Sequence, residues 1–201
     1  MASVLKVDKL DPQSGTALEI GTSGDTITVP SGATFNVAGT LQEGGSALVT
    51  GKILQVVNTE TGAVASGTTT LPYDDTIPQI TEGFEVMTLA VTPTSATNKL
   101  LINVVTSLAT NINSLPVTAL FEGTTADALA CVWTYSYPDG INNPLNHKFT
   151  HYMTSGSTSE LTFRVRIGMN QEGTVTFNGR SEARKYGGVS ASSITIMEIE
   201  V

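Results

Sequence analysis

Along most of this chain apolar and polar positions alternate with a period of two, and no stretch repeats them convincingly at helical spacing. The clearest case is Leu161 to Ile167, where Leu161, Phe163, Val165 and Ile167 fall on one side and Thr162, Arg164 and Arg166 on the other. That pattern predicts a half-buried strand with the first set inward. Lys52–Asn58 (KILQVVN) and Glu85–Val91 (EVMTLAV) read as further strands, the second ended by Thr92-Pro93. Lys99–Val105 (KLLINVV) is apolar on both faces, which predicts a central strand covered on each side. Gly173–Asn178 reads as a strand closed by a turn at Asn178-Gly179, and Ser193–Val201 as the last strand. Short strands separated by turn signals predict an all-β domain over residues 51–201, a β-sandwich of jelly-roll type.

The first fifty residues differ. Apolar pairs recur at Leu18/Ile20, Ile27/Val29 and Phe35/Val37, spaced by nine and then eight residues and punctuated by Gly21, Gly24, Gly32 and Gly39. This weak strand-and-turn repeat predicts a solenoid-like or fibrous element. Six side chains bury too little apolar surface to offset the entropy of ordering the whole segment. Partners must come from the rest of the chain or from other copies, so residues 1–50 are expected to be an oligomerising stem or attachment arm with those six residues as its contacts. A disordered leader is the competing expectation.

Composition narrows the function classes. Ten basic against 18 acidic residues give a net charge of −8, which argues against nucleic acid or an anionic membrane as partner, because phosphate binding rests on Lys and Arg. Cys131 is the only cysteine, so an intrachain disulfide framework is excluded and the residue is expected to be a small buried apolar side chain. No run approaches the ~18 apolar residues of a membrane span, and the amino terminus lacks the apolar core of a secretory signal. The expectation is a chain made and folded in a cytoplasm.

Candidate chemistry is sparse. The sequence has no nucleophile elbow, phosphate loop, zinc-protease motif or dinucleotide fingerprint. Asp74, Asp75, Asp127 and Asp139 could serve as paired acids only at a suitable separation, and Asp74-Asp75 after Pro72-Tyr73 reads more simply as a turn. His147 and His151 lie four apart; in extended chain that is ~13 Å, too far for one metal ion, so ordinary hydrogen-bonded histidines are expected. No cofactor, metal or enzymatic activity is expected. The segment Val132–Tyr152 holds the only tryptophan and three of the five tyrosines. Trp133, Tyr135, Tyr137, Asp139, Asn142, Asn143, His147 and Tyr152 are therefore candidate ligand-binding residues, since rings cover apolar faces while amides and carboxylates take hydroxyls. Trp133, Tyr135 and Tyr137 also share one strand face, so core or subunit-interface roles stay open.

The blocks TTTLPYDDTIPQITEGFEVMTLAVTPTSATNKLLI, ALFEGTTADALA, FTHYMTSGSTSELTFRVRIG and GTVTFNGRSEARKYGGVSASSITIMEIE resemble a domain at the carboxyl end of tailed-bacteriophage fibre proteins, over about Gly67 to Val201. The leader VDKLDPQSGTALEIGTSGDTITVPSGATFNVAGTL is similar to the stem of marine phage fibres. The resemblance implies a homotrimeric virion tail fibre. Its arm would join other virion proteins and its knob would contact a host-surface glycan or protein. The alternative is a capsid-bound fibre or decoration without a receptor role, with a polysaccharide depolymerase further behind. The resemblance supplies no catalytic residues to carry over.

Overall fold

A computed structural model describes residues 26–39, 42–43, 46–47, 51–136 and 141–201. The chain divides into two units, Met1–Leu48 and Val49–Val201. Of the first unit, β1 (Gln42–Glu43) pairs antiparallel with β2 (Ser46–Ala47). Residues 26–39 form no strand, contrary to the alternation there. A turn links them instead, with Ala33 N donating to Pro30 O at 3.0 Å.

The second unit is all-β, with no α-helix among the described residues. Its strands are β3 (Ile53–Thr61), β4 (Ala65–Gly67), β5 (Phe84–Val91), β6 (Lys99–Thr110), β7 (Pro116–Glu122), β8 (Ala130–Trp133), β9 (Leu145–Thr154), β10 (Leu161–Met169), β11 (Val175–Phe177), β12 (Gly179–Arg180), β13 (Ala183–Arg184) and β14 (Ser192–Ile199). One sheet of four strands runs β5-β10-β7-β8; another of six runs β3-β14-β6-β11-β4, with β9 paired to the free side of β6. The two sheets form a sandwich around the main core, and a smaller cluster of Leu71, Val117, Ala119 and Phe121 lies on the other face of β7. Met87, Val91, Leu120, Phe163, Val165 and Ile167 come from the first sheet and Leu100, Ile102, Val104, Leu108, Ile194 and Ile196 from the second.

The alternation predicted for β10 is observed: Phe163, Val165 and Ile167 are fully buried. On its opposite face the two arginines hold loops in place. Arg164 Nε donates to Gly123 O at 2.8 Å and its Nη1 pairs with Glu85 at 2.9 Å. Arg166 donates to Glu82 O and Gly83 O, each at 2.8 Å. Gly83 has φ +60, and a Cβ there would stand 2.5 Å from Ile167 O, so only glycine lets this loop cross so close to β10.

Two expectations change. Cys131 is exposed rather than buried, because it lies on the outward side of β8, opposite its neighbours Ala130 and Val132. Asn178-Gly179 does not close a hairpin. Asn178 takes a left-handed conformation (φ 52) that bends β11 into β12, and the tight turn falls at Ser181 and Glu182, both with positive φ, the signature of a two-residue hairpin loop.

Candidate self-association face

β6 runs down the middle of the six-stranded sheet, and its two faces have different fates. Leu100, Ile102 and Val104 point into the core and are 0–1% exposed. Leu101 and Val105, on the other face, are only partly buried. Register extends this outer face across four strands, because Val56 of β3 lies opposite Met197 of β14, Met197 opposite Leu101, and Leu101 opposite Tyr152 of β9. Adjacent strands lie ~4.8 Å apart, so these four side chains form a continuous apolar row. Ile53 and Ile199 stand together in the next row towards the strand ends. Ile53, Val56 and Tyr152 are 53%, 54% and 54% exposed.

Above this patch the face turns polar. Asn58, Thr195, Asn103 and Thr150 form the following row, where Asn58 Nδ2 donates to Thr195 Oγ1 and Thr150 Oγ1 to Asn103 Oδ1, both at 2.8 Å. Beyond it come Glu60 on β3 and Lys148 on β9, level with one another through Ser193 and Val105. Both are exposed, and neither has an ion-pair partner among the described residues. The sheet thus carries an acid at one edge and a base at the other, in one row.

The predicted ligand-binding residues do not gather on one surface. Trp133, at the end of β8, is 49% exposed and packs edge-on against Tyr73, with ring centroids 5.1 Å apart and planes at 69°. Tyr135 is 48% exposed just beyond it. Exposure removes both from the core, the first of the two roles left open for them. Tyr152 belongs to the outer face of the other sheet, and Asn142 and Asn143 to the turn before β9, where Asn142 N donates to Thr110 O at 2.7 Å. Tyr137 and Asp139 lie outside the described residues, as do Leu18 and Ile20. Ile27, Val29, Phe35 and Val37 are exposed.

His147 is interior. It faces between the sheets, and its Nδ1 and Thr118 Oγ1 are 2.9 Å apart, with Thr118 Oγ1 in turn 2.9 Å from Thr106 Oγ1. Its Nε2 is buried without a partner, and burial pushes its pKa down to about 4, so the ring is neutral at pH 7. Burial also lowers the pKa of His151. No group of acids, histidines or cysteines among the described residues could hold a metal ion.

Two of the candidate acids are occupied locally. Asp74 Oδ1 accepts from Thr76 Oγ1 and Thr76 N, at 2.5 and 2.9 Å; these bonds lower its pKa and make the turn expected there. Asp127 accepts from Gln79 Nε2 at 2.9 Å. Sequence reasoning passed over the most enclosed acid, Glu198. It is fully buried and accepts from Gln55 Nε2 (2.6 Å), Asn98 Nδ2 (2.6 Å), Thr94 Oγ1 and Thr94 N (each 2.8 Å). Desolvation raises its pKa, but the bonds from Gln55, Asn98 and Thr94 outweigh it and bring the value down to about 2. An acid at an alternating core position of the last strand, after Ile194 and Ile196, was the available signal.

A family model described as the Pgp3 C-terminal domain matches residues 66–201. The chain belongs to the Pgp3 C-terminal domain family. That assignment overturns the bacteriophage fibre resemblance and the readings built on it, namely virion tail fibre, capsid decoration, depolymerase and a place in the virion. The quoted blocks are mostly strand-and-turn sequence, which β-sandwiches of similar composition share without common descent. The Pgp3 match starts inside β4, so β3, which supplies Val56 and Glu60 to the outer face, precedes it. No curated protein matches the chain. Among solved structures it is similar to Eiger TNF from S. frugiperda, at 10% identity over 72% of this chain and 93% of that one, TM-score 0.44. It is also similar to the infectious bursal disease virus VP2 subviral particle, at 9% identity over 81% and 43%, TM-score 0.35. Latent PorU from Porphyromonas gingivalis is similar at 8% identity over 80% and 14%, TM-score 0.38. At these scores the likenesses carry no argument here.

Proposed function

We propose that this Pgp3 C-terminal domain protein is a non-enzymatic assembly module that works as a homotrimer, built through the outer face of its six-stranded sheet. The observation that carries the reading is the row Val56–Met197–Leu101–Tyr152 with Ile53 and Ile199 beside it. An apolar row across four strands is costly to leave in water, at ~25 cal/mol for each Å² of apolar surface, and contiguous patches of this kind mark interaction sites. The sequence of β6 points the same way, because a strand apolar on both faces is the pattern of one covered on both.

The charges suit a head-to-tail ring. Glu60 and Lys148 sit at opposite edges of one row, so a head-to-tail arrangement brings the β3 edge of one copy against the β9 edge of the next and opposes acid to base at every contact. Three copies close such a ring with the apolar rows turned towards the axis. In this reading the sandwich is a jelly-roll-like knob and residues 1–50 are an oligomerising stem. Three chains sharing a core also supply stability that a chain with one cysteine cannot take from disulfides. The non-enzymatic part rests on the acids, since Asp74, Asp127 and Glu198 each accept hydrogen bonds from the chain itself.

The test is native mass by light scattering on the full chain and on Leu101→Asp. The reading expects three times 21.0 kDa for the parent and a folded, smaller species for the variant. A parent that is monomeric and well folded would refute it.

A further inference from the structure

A cavity of about 420 Å³ opens in the sandwich unit between the β11–β12 corner and the 186–190 loop. Arg180 and Lys185 line it, with Ser107, Asn178, Tyr186 and Ser190, and no acidic residue does. This is unexpected in a chain with 18 acidic and 10 basic residues, three of the ten falling at Arg180, Arg184 and Lys185. The side chains of Arg180 and Lys185 have no hydrogen-bond or ion-pair partner among the described residues. Arg164 and Arg166, by contrast, are committed to Glu85 and to loop carbonyls.

The floor of the cavity is fixed. Asn178 is 1% exposed; its Nδ2 donates to Thr61 O (2.7 Å) and Ala63 O (3.2 Å), and its Oδ1 accepts from Ser192 Oγ (2.6 Å). Ser192 Oγ accepts in turn from Ser107 N at 2.9 Å. Gly179 leaves no room for a Cβ, which would stand 2.5 Å from Ala183 O, so the β12–β13 hairpin closes tightly on its base. The walls are strained. Two of the lining residues, Asn178 and Tyr186, are non-glycine residues with positive φ. Each such residue costs of order 1 kcal/mol, and strain of this kind collects at functional sites. Tyr186, at φ 48, is 84% exposed, which leaves its ring at the rim.

We propose that this cavity binds a phosphate or sulfate group carried on a body of sugar size. Arg180 and Lys185 supply the opposite charge. Ser107, Ser190 and Tyr186, which also line it, carry hydroxyls, the additional donors that the several oxygens of a tetrahedral oxyanion can use. The volume falls within the ~300–1,000 Å³ of small-molecule sites and exceeds what a bare anion fills. The Tyr186 ring offers a face for the attached body.

The experiment is calorimetric titration of the full chain, at constant ionic strength, with inorganic phosphate, glucose 6-phosphate, glucose and acetate. It is repeated on Arg180→Gln, Lys185→Gln and the double variant, whose substituted side chains are exposed and leave the fold intact. Saturable binding of phosphate is expected, with tighter binding of glucose 6-phosphate. Each single variant should weaken both by about tenfold and the double variant by about a hundredfold, as the loss of charge-assisted hydrogen bonds implies. The proposal is overturned if neither phosphate nor glucose 6-phosphate gives saturable heat, if the double variant binds them like the parent, or if acetate or glucose binds as well. Equal affinity for phosphate and glucose 6-phosphate would overturn the sugar-sized body.

Discussion

The inner and outer faces of the six-stranded sheet are written in nearly the same side chains and end in different surroundings. Inward, Leu100, Ile102, Val104, Ile194 and Ile196 meet the four-stranded sheet and lose contact with water. Outward, Val56 and Tyr152 are exposed and Leu101 and Met197 only partly covered, with no second sheet packed on them among the described residues. Apolar content alone therefore does not tell a core from an interface. What separates them is whether a second layer packs on the face, and among the described residues of the sandwich unit that layer lies on the inner side.

The polar residues obey the same division. Inside, they are hydrogen-bonded to one another, Glu198 to four donors and His147 through Nδ1 to the Thr118–Thr106 pair, because a buried group without partners is expensive; His147 Nε2 is the exception. Outside, polar and charged residues sit in rows around the apolar one, as at the rim of a protein interface.

Substitutions on the two faces sharpen the contrast. Ile102→Ala, on the inner face, should cost the most, about 2–5 kcal/mol by chemical denaturation, the range for truncating a fully buried isoleucine. Glu198→Ala should follow at about 2–4 kcal/mol, since it strands Gln55, Asn98 and Thr94 without their acceptor. Its carboxylate is held below the ordinary 4.5, at about 2, so its contribution is complete above pH 4.5 and fades as pH falls towards 2. The gap between parent and Glu198→Gln should narrow across that interval.

His147 acts in the adjoining window. Its folded pKa of about 4 lies below the ordinary 6.5, so between those values the unfolded chain binds a proton that the folded chain refuses. Stability should fall from pH 6.5 to 4, by at most about 3 kcal/mol, and His147→Gln should flatten that part of the profile. Lys148→Glu, on the outer face, should be smallest, weakening assembly by about 1 kcal/mol through repulsion against Glu60 of the neighbouring copy. Adding Glu60→Lys should restore it, as measured by the concentration dependence of the sedimentation profile. If both variants assemble like the parent, the head-to-tail contact is not made.

Strands with alternating or doubly apolar sequence were legible: β3, β5, β6, β10 and β14 stand within a few residues of where periodicity places them. Two central pieces were not. β7 (PVTALFE) is buried at every position but the last, so it shows no alternation and opens on a proline. β9 (LNHKFTHYMT) does alternate, with Leu145, His147, Phe149, His151 and Met153 inward. Two of its five inward residues are histidines, which breaks the apolar alternation, so the segment reads as extended chain without an apolar face.

The candidate surfaces were less legible still, because each depends on register. Trp133 stands out in the sequence, but its partner Tyr73 lies far upstream and comes to it only through the fold. Val56, Leu101, Tyr152 and Met197 are scattered over the chain and become one row only once β3, β14, β6 and β9 are aligned. Alternation gives faces; it does not give neighbours.

The most direct test of the outer face is the native mass of the full chain beside Leu101→Asp/Met197→Asp, with circular dichroism on both. The account expects three times 21.0 kDa for the parent, and for the double variant a dissociated species that keeps its β signal. A variant that holds the parent's mass would contradict it, because an assembly that tolerates two carboxylates in the middle of the row is not built on that face.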